Sequence, residues 1–211
     1  PGIDIMSPTW FEIIDREGTI KNRANLEYIE WAHSNGWQVW ALFANSFNDI
    51  EGTSMILNST ELRHKVIKQI LAYASLYELD GINLDFENIY LRDKDAYTQF
   101  VREITPLLRE QGLVVSVAVG VPGGSETWSL SHDRKALGET VDYVCLMTYD
   151  QNWPKPGSSA ELQWVEDRLM ATLEEVPANK LLLGVPLYTR LWQEEEVDGK
   201  IKTSYVAALT I

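Results

Sequence analysis

The chain has 211 residues, with 18 Lys and Arg against 31 Asp and Glu, so its formal net charge is −13. This acidic balance argues against nucleic acid as the partner, because phosphate binding needs a basic surface. It also argues against docking on an anionic membrane, and no apolar run is long enough to predict membrane insertion. The hydrophobic share of 45% is normal for a globular domain. The single cysteine excludes an internal disulfide and a cysteine-based zinc site.

Short apolar runs alternate with amphipathic stretches along the chain. The runs are rich in β-branched residues and leucine and are almost continuously hydrophobic, which is typical of parallel strands covered on both faces. The predicted strands are residues 2–7, 38–44, 81–86, 113–119, 141–148 and 181–187. The predicted helices are residues 24–34, 61–77, 94–110, 131–137 and 160–175. This alternation indicates βα units with right-handed crossovers.

Two α/β architectures fit the alternation: a doubly wound open sheet and a (β/α)8 TIM barrel. A nucleotide-binding open sheet needs a glycine fingerprint after its first strand, and residues 8–11, Pro-Thr-Trp-Phe, contain none. A complete barrel usually takes about 250 residues. The barrel would therefore be incomplete in this chain. We predict a partial catalytic barrel over residues 1–192, followed at 193–211 by the start of an insertion.

The most informative segment is Asp-Gly-Ile-Asn-Leu-Asp-Phe-Glu at residues 80–87. Side chains two apart in a strand point the same way, so Asn83, Asp85 and Glu87 share one face. Neighbouring buried carboxylates disfavour each other's ionisation, and one should hold a proton at neutral pH, as a general acid must. Glu87 is last, at the carboxyl end of the strand, where barrel enzymes place their chemistry. The alternative is an edge strand with a solvated acidic face, and the apolar flanks favour burial.

The shared face also restricts the type of glycosidase. Ordinary glycosidases place two carboxylates on opposite sides of the scissile bond. Two carboxylates on one strand face approach from the same side, so neither is well placed as the opposing nucleophile. If the protein is a glycosidase, the nucleophile should come from the sugar itself, for example from a 2-acetamido group.

Residues 80–87 resemble the Asp-x-x-Asp-x-Asp-x-Glu signature of family 18 glycoside hydrolases, the chitinase-like (β/α)8 barrels, with Asn83 in place of the second Asp. The signature lies at the end of the fourth strand. The resemblance implies that Glu87 is the acid and later the base. It implies that Asp85 orients the acetamido group and stabilises its charge during attack on the anomeric carbon. Asp80 and Asn83 are assigned to substrate binding.

Leu-Met-Thr-Tyr-Asp at residues 146–150 resembles the Met-x-Tyr-Asp of strand six in the same family. The match implies that the Tyr149 hydroxyl steadies the acetamido oxygen and that Asp150 bonds the distorted sugar. Met147 shares the inward parity of Tyr149 and is assigned to substrate binding. A Tyr-Asp pair after a strand is also common in ordinary loops.

Residues 183–190 resemble the Gly-x-Pro-x-Tyr-Gly-Arg segment of strand seven, with Thr189 in place of the second Gly. The match implies that Tyr188 and Arg190 line the cleft. Alternatively, Arg190 simply pairs with a glutamate of 194–196.

The three matches occur in the family's order and make the six apolar runs strands two to seven. Strands one and eight are then expected outside the chain. The family's Ser-x-Gly-Gly pattern of strand three is replaced by Leu-Phe-Ala-Asn-Ser at residues 42–46, and Asn45 is assigned to substrate binding there.

The amino-acid sequence at residues 7–11, 39–43 and 147–153 resembles that of the bacterial spore-cortex and cell-wall lytic branch of the family. This resemblance implies a secreted or cell-envelope and spore-associated enzyme that cleaves β-1,4 bonds beside N-acetylglucosamine in peptidoglycan or chitin-like glycans, with retention. Its partner would be an N-acetylated polysaccharide. Trp10 and Trp153 follow predicted strand ends and either stack on sugar rings or anchor the core.

Other chemistries receive little support from the sequence. His33, His64 and His132 lie far apart and away from strand ends, so we expect no metal site and no cofactor. Cys145 lies in a strand and predicts an inert buried thiol. The competing function is a non-catalytic chitinase-like carbohydrate-binding protein. Such relatives usually lose the catalytic acid, whereas this sequence retains it as Glu87.

Overall fold

Parallel strands dominate the computed structural model of the chain, which describes residues 2–210. The strands are β1 (Ile5–Met6), β2 (Thr9–Ile13), β3 (Ile20–Asn22), β4 (Gln38–Ala44), β5 (Gly81–Asp85), β6 (Val114–Gly120), β7 (Tyr143–Met147), β8 (Leu181–Gly184), β9 (Tyr188–Val197) and β10 (Lys200–Thr210). The helices are α1 (Leu26–Ser34), α2 (Ile50–Asn58), α3 (Thr60–Leu76), α4 (Lys94–Glu110), α5 (Arg134–Thr140) and α6 (Leu162–Leu173). None of these helices is both long and apolar enough to cross a bilayer.

The main sheet has the strand order β3-β2-β4-β5-β6-β7-β8, with β1 also paired to β4. β1 and β2 pair in parallel with successive parts of β4, so they act as one interrupted strand. The strands from β4 to β8 are all parallel neighbours in chain order. β3 is antiparallel to β2. This topology confirms the predicted α/β fold with its alternating crossovers.

The inner face of the sheet curves as in a barrel. Trp40 of β4 and Tyr143 of β7 stack with ring centroids 5.6 Å apart, although two strands lie between them. On a flat sheet their strands would be about 14 Å apart, so curvature brings the rings together. Gly81 of β5 makes room, since a Cβ there would lie 2.6 Å from Trp40 Cδ1. Within residues 2–210 the two edges of the sheet do not pair, and the barrel is open.

The outer face of β5 packs on α4 and fixes the strand that carries the carboxylates. Ile82 and Leu84 are fully buried. Phe86 stacks on Tyr97 and Phe100 of α4 with centroid distances of 5.4 and 5.2 Å. The alternate side chains of the same segment therefore face the inside of the sheet, as the sequence pattern predicts.

All six predicted strands are present, but the first is limited to Ile5–Met6, and the β2–β3 hairpin was not expected. The helix α2 was also missed. Gly52 and Thr53 lower the helix propensity of its sequence, and it depends on the cap by Asp49, whose carboxylate accepts a hydrogen bond from Gly52 N. The helix α5 lies at 134–140 instead of 131–137, because Asp133 caps it through Ala136 N.

The last described segment forms an antiparallel hairpin of β9 and β10. The predicted boundary between residues 192 and 193 falls inside β9, so the hairpin begins at Tyr188.

Candidate active site

Side chains that could take part in acid–base chemistry lie together where the parallel strands end. Asp85 is the last residue of β5, and Glu87 lies two residues further on. Tyr149 and Asp150 follow β7, and Tyr188 begins β9 just after β8. Since carboxyl ends of parallel strands lie at one edge of a sheet, these side chains form one group, which is termed here the carboxylate site.

Glu87 is the central acid of the carboxylate site. Burial raises the pKa of its carboxyl to about 7, and the nearby charges of Asp85 and Asp150 add to the shift. At neutral pH a substantial fraction of the carboxyl therefore keeps its proton. This protonation state is what a general acid needs at working pH.

Asp85 is a second buried carboxyl with a different environment. Burial raises its pKa to about 6, and no hydrogen-bond donor within residues 2–210 offsets that shift. The Asp85 carboxylate is therefore desolvated without a protein partner, which is costly unless a ligand supplies one.

Asn83 lies one strand repeat before Asp85, deeper on the inner face. Its Oδ1 accepts a hydrogen bond from Ser116 Oγ at 3.1 Å. The neighbouring Cys145 is mostly buried, and burial raises the pKa of its thiol to about 11. The thiol therefore stays protonated, in agreement with the inert cysteine that the sequence predicts. Asn83 itself contacts Ser116 of the neighbouring strand β6, below the strand ends where Asp85 and Glu87 lie.

Tyr149 stands beside both carboxyls. Burial raises the pKa of its hydroxyl well above the usual value, and the charges of Asp85 and Glu87 raise it further. The hydroxyl therefore remains a donor at any working pH. Gly184 of β8 leaves space for this ring, because a Cβ there would lie 3.3 Å from Tyr149 Cε1 and 2.9 Å from the Leu146 carbonyl.

Asp150 is held by two residues of β9. Its Oδ1 accepts hydrogen bonds from the Tyr188 hydroxyl at 2.6 Å and from Arg190 Nε at 2.9 Å. Arg190 therefore pairs with Asp150 and not with the glutamates at 194–196. Asp150 has a φ of +58°, an unusual conformation that costs on the order of 1 kcal/mol and that these bonds help to hold.

An aromatic group extends the site onto the hairpin. Trp153 lies edge-on to Tyr205 with centroids 5.1 Å apart and lies 6.0 Å from Trp192. The Arg190 guanidinium lies 4.1 Å from the Trp153 ring centroid. Trp153 remains partly exposed and offers a flat apolar surface next to Asp150. Met147 ends β7 on the inner face, between its partners Gly120 and Gly184.

Two residues assigned to substrate binding lie elsewhere. Asp80 precedes β5, about 17 Å along the strand from Asp85, where its Oδ2 accepts from Val39 N at 2.7 Å and lies 2.9 Å from His33 Nε2. Trp10 is buried in the core and packs edge-on against Tyr28 of α1. Asp80 lies away from the carboxylate site because the motif spans the whole strand and only its carboxyl end reaches the site. Trp10 lies within β2 and not after a strand end, because the chain resumes pairing at Thr9.

Asn45 and His132 hold the main chain under the site. Asn45 follows β4 and hydrogen-bonds both main-chain groups of Glu87, at 2.9 Å to the N–H and 2.8 Å to the carbonyl. Its assignment to substrate binding would require a side chain that faces the cleft. The side chain of Asn45 instead contacts the main chain of Glu87. His132 Nε2 lies 2.9 Å from the Phe86 carbonyl, and Nδ1 accepts from Gly120 N at 3.1 Å. No sequence spacing indicates these long-range contacts.

The two partners of His132 require a neutral ring with its proton on Nε2. Burial lowers the pKa of His132 to about 4, below the ordinary value of about 6.5. The unfolded chain therefore binds more protons than the native state between these pH values, and this contribution to stability is lost as the pH falls through that window.

We expect the stability advantage of the wild type over His132→Gln to shrink by about 3 kcal/mol between pH 7 and pH 4. Urea unfolding of both proteins at the two pH values measures the difference. Taking the difference cancels the opposite contributions of the Asp85 and Glu87 carboxyls, which both proteins share. An advantage that stays constant with pH would show that the native ring is not kept neutral.

A metal centre has no candidate ligands in the described part of the chain. Within residues 2–210, no three His, Cys, Asp or Glu side chains are grouped in a way that could hold a metal ion.

Comparison with known proteins identifies the family of this arrangement. The family described as glycosyl hydrolases family 18 matches residues 12–208. The cortical fragment-lytic enzyme of Bacillus subtilis is 35% identical over 153 residues, which cover 70% of this chain and 35% of that enzyme. The uncharacterized glycosylase YvbX of the same organism is 26% identical over 199 residues, which cover 90% of this chain and 57% of YvbX. The chain thus spans between about a third and somewhat over half of these relatives.

The fold matches as well. The crystal structure of the putative sporulation-specific glycosylase ydhD from Bacillus subtilis superimposes with a TM-score of 0.83 at 25% sequence identity, covering 96% of this chain and 70% of that chain. The sequence resemblance drawn from the strand-end motifs is therefore confirmed, and the chain belongs to family 18 of the glycosyl hydrolases.

Proposed function

We propose that the protein is a retaining glycosidase that cleaves β-1,4 bonds beside N-acetylglucosamine in peptidoglycan or chitin-like glycans. The observation that carries the proposal is a pair of neighbouring carboxyls at the end of β5, the partly buried Glu87 with a pKa of about 7 and the buried Asp85 with a pKa of about 6. The third carboxylate, Asp150, is engaged by Arg190 and Tyr188. This arrangement supports a reaction in which the substrate supplies the nucleophile.

In the first step, protonated Glu87 donates its proton to the glycosidic oxygen as the bond to the anomeric carbon breaks. The carbonyl oxygen of the 2-acetamido group bonds to that carbon from the opposite face and closes an oxazolinium ring. The Asp85 carboxylate accepts the amide N–H and balances the positive charge, and the Tyr149 hydroxyl donates to the acetamido oxygen.

In the second step, Glu87 acts as the base. It takes a proton from water, and the resulting hydroxide bonds to the anomeric carbon and opens the oxazolinium ring. Two displacements at the same carbon leave its configuration unchanged. Glu87 ends protonated, ready for another cycle.

The free Asp85 carboxylate favours an N-acetylated sugar in particular. It is buried and has no hydrogen-bond donor within residues 2–210, so a ligand amide would relieve its desolvation. A sugar with a 2-hydroxyl group could donate one hydrogen bond but could not form the oxazolinium ring.

The names of two relatives support a choice of polymer and of location. One relative is named a cortical fragment-lytic enzyme, and the similar crystal structure is named a putative sporulation-specific glycosylase. We infer that the present protein acts on peptidoglycan in the cell envelope or spore. Trp153, next to Asp150, would stack on a neighbouring sugar ring.

Product analysis tests the reaction type. We expect the full-length protein to release reducing ends from N-acetylglucosamine oligomers, with the β-anomer appearing first by proton NMR. De-N-acetylated oligomers of the same length serve as the control and should remain intact. An α-anomer as the first product would exclude the substrate-assisted route. Sugar binding without hydrolysis by the full-length protein would instead favour the carbohydrate-binding alternative.

A further inference from the structure

We propose that Asn45 is a positioning residue that fixes the main chain of Glu87 and thereby aims the acid's carboxyl. The inference rests on the proposed function and deepens it. Asn45 directly follows β4, whereas the acid that it holds lies just beyond the neighbouring strand β5.

The side-chain amide of Asn45 makes three hydrogen bonds within the protein. Its Oδ1 accepts from Glu87 N–H at 2.9 Å, and its Nδ2 donates to the Glu87 carbonyl at 2.8 Å and to Thr53 Oγ1 at 3.0 Å. The side chain is 1% exposed. These bonds fix the orientation of the amide and leave its two donor hydrogens no capacity for a substrate.

The bonds replace a strand ladder that has already ended. β5 pairs with β4 only as far as Asp85 opposite Ala44, and with β6 only as far as Leu84. The main-chain N–H and carbonyl of Glu87 therefore have no strand partner. Asn45 follows Ala44 directly, and its amide takes the place of the missing peptide group.

The chain immediately around the acid needs such support. Asn88 has a φ of +50°, so the backbone turns sharply one residue after Glu87. Asn88 Nδ2 also donates to the Phe47 carbonyl at 2.8 Å, and His132 lies 2.9 Å from the Phe86 carbonyl. Contacts with the segment after β4 and with His132 thus restrain the backbone on both sides of Glu87.

Positioning matters because proton transfer needs the acid within hydrogen-bond reach of the glycosidic oxygen. A small rotation of the Glu87 backbone would swing its carboxyl by a larger distance. Misplacement by about 1 Å can reduce a rate by on the order of 100-fold. The loss should fall on kcat and leave substrate affinity almost unchanged.

Asn45→Ala tests the proposal, with Asn22→Ala as the matched control. Asn22 also accepts from a backbone N–H, that of Ala24 at 2.8 Å, and donates from Nδ2 to the Tyr77 hydroxyl at 2.9 Å. It lies at the end of β3 and contacts no member of the carboxylate site. Both variants lose hydrogen bonds of the same kind, so general destabilisation affects both.

We expect Asn45→Ala to lower kcat on N-acetylglucosamine oligomers by about 10- to 100-fold with KM within about twofold. Asn22→Ala should keep kcat within about twofold of the wild type, even with a comparable decrease in Tm. Equal kcat values for the two variants at matched folded fractions would overturn the proposal.

Amide hydrogen exchange tests the contact independently of activity. The Glu87 N–H should exchange at least about 10-fold faster in Asn45→Ala than in the wild type, with no change in Asn22→Ala. Unchanged exchange at Glu87 would overturn the positioning role, whatever the kinetics show. If the wild type hydrolyses no oligomer while the exchange result holds, the proposed function fails and the contact stands. Asn45→Asp, which keeps only the acceptor, replaces Asn45→Ala if the latter does not fold.

Discussion

Glu87→Gln should reduce kcat at least about 1000-fold and at the same time make the protein more stable above neutral pH. The amide of glutamine has nearly the shape of the acid but cannot donate a proton to the leaving oxygen or take one from water. General acid–base groups typically contribute about 100- to 10,000-fold, and Glu87 serves both steps. Steady-state hydrolysis of N-acetylglucosamine oligomers measures the loss, and binding of an intact oligomer should persist.

The stability gain follows from the sign of the pKa shift. The native pKa of Glu87 is about 7, above the ordinary value of about 4.3. The native state therefore binds more protons than the unfolded chain between these values. Stability contributed by that protonation is present at low pH and is lost as the pH rises through about 7. Glutamine never ionises, so it avoids the cost.

Urea unfolding at pH 8 should show Glu87→Gln more stable than the wild type by about 3 kcal/mol, with the gap closing at pH 4. Glu103→Gln provides the matched control. Glu103 pairs with Arg63 at 2.7 Å, which lowers the pKa of its carboxyl. That variant should lose stability at pH 8 and keep its activity. A Glu87→Gln variant that is active, or less stable than the wild type at pH 8, would contradict the assignment of the acid.

The strand-end residues could be predicted from sequence because two strict rules act on them. Alternation places Asp85 and Glu87 on one face, and the parallel βα order brings the end of β5 to the same edge as the end of β7. Asp150 and Tyr149 therefore lie with the carboxyls in the structure, as the motifs require. Neither rule depends on knowing how the loops fold.

The residues that lie away from the carboxylate site, and the contacts that the sequence did not indicate, depend on long-range packing that no periodicity encodes. Asp80 belongs to the same motif, but its position at the amino end of β5 directs it to Val39 N. His132 looked isolated in sequence, yet the loop before α5 folds back to the Phe86 carbonyl, 46 positions away. Asn45 was recognised as a site residue, but its partner is the acid's main chain and not the sugar.

The second large effect is expected at Asp85. Asp85→Asn keeps the size of the side chain but removes the charge that balances the oxazolinium ring, and it leaves only a neutral amide oxygen to accept the acetamido N–H. We expect kcat to fall by about 100-fold or more on N-acetylglucosamine oligomers, since charge stabilisation in a dry site commonly contributes that much. The folded state should persist, because Asp85 has no donor within residues 2–210 to lose.

The pH profile of this variant separates an electrostatic role from a steric one. Activity requires protonated Glu87, so kcat/KM should decrease as the pH rises through the pKa of that carboxyl. The Asp85 charge is one of the causes that raise this pKa, so Asp85→Asn should lower it and move the basic limb to lower pH. Asp142→Asn is the control, because Asp142 pairs with Arg109 at 2.7 Å just before β7, at the opposite end of the sheet. The basic limb of the kcat/KM profile of Asp142→Asn should stay at the same pH as in the wild type. A limb that does not move in Asp85→Asn would contradict a contribution of the Asp85 charge to the pKa of Glu87, which would then depend on burial and on the charge of Asp150.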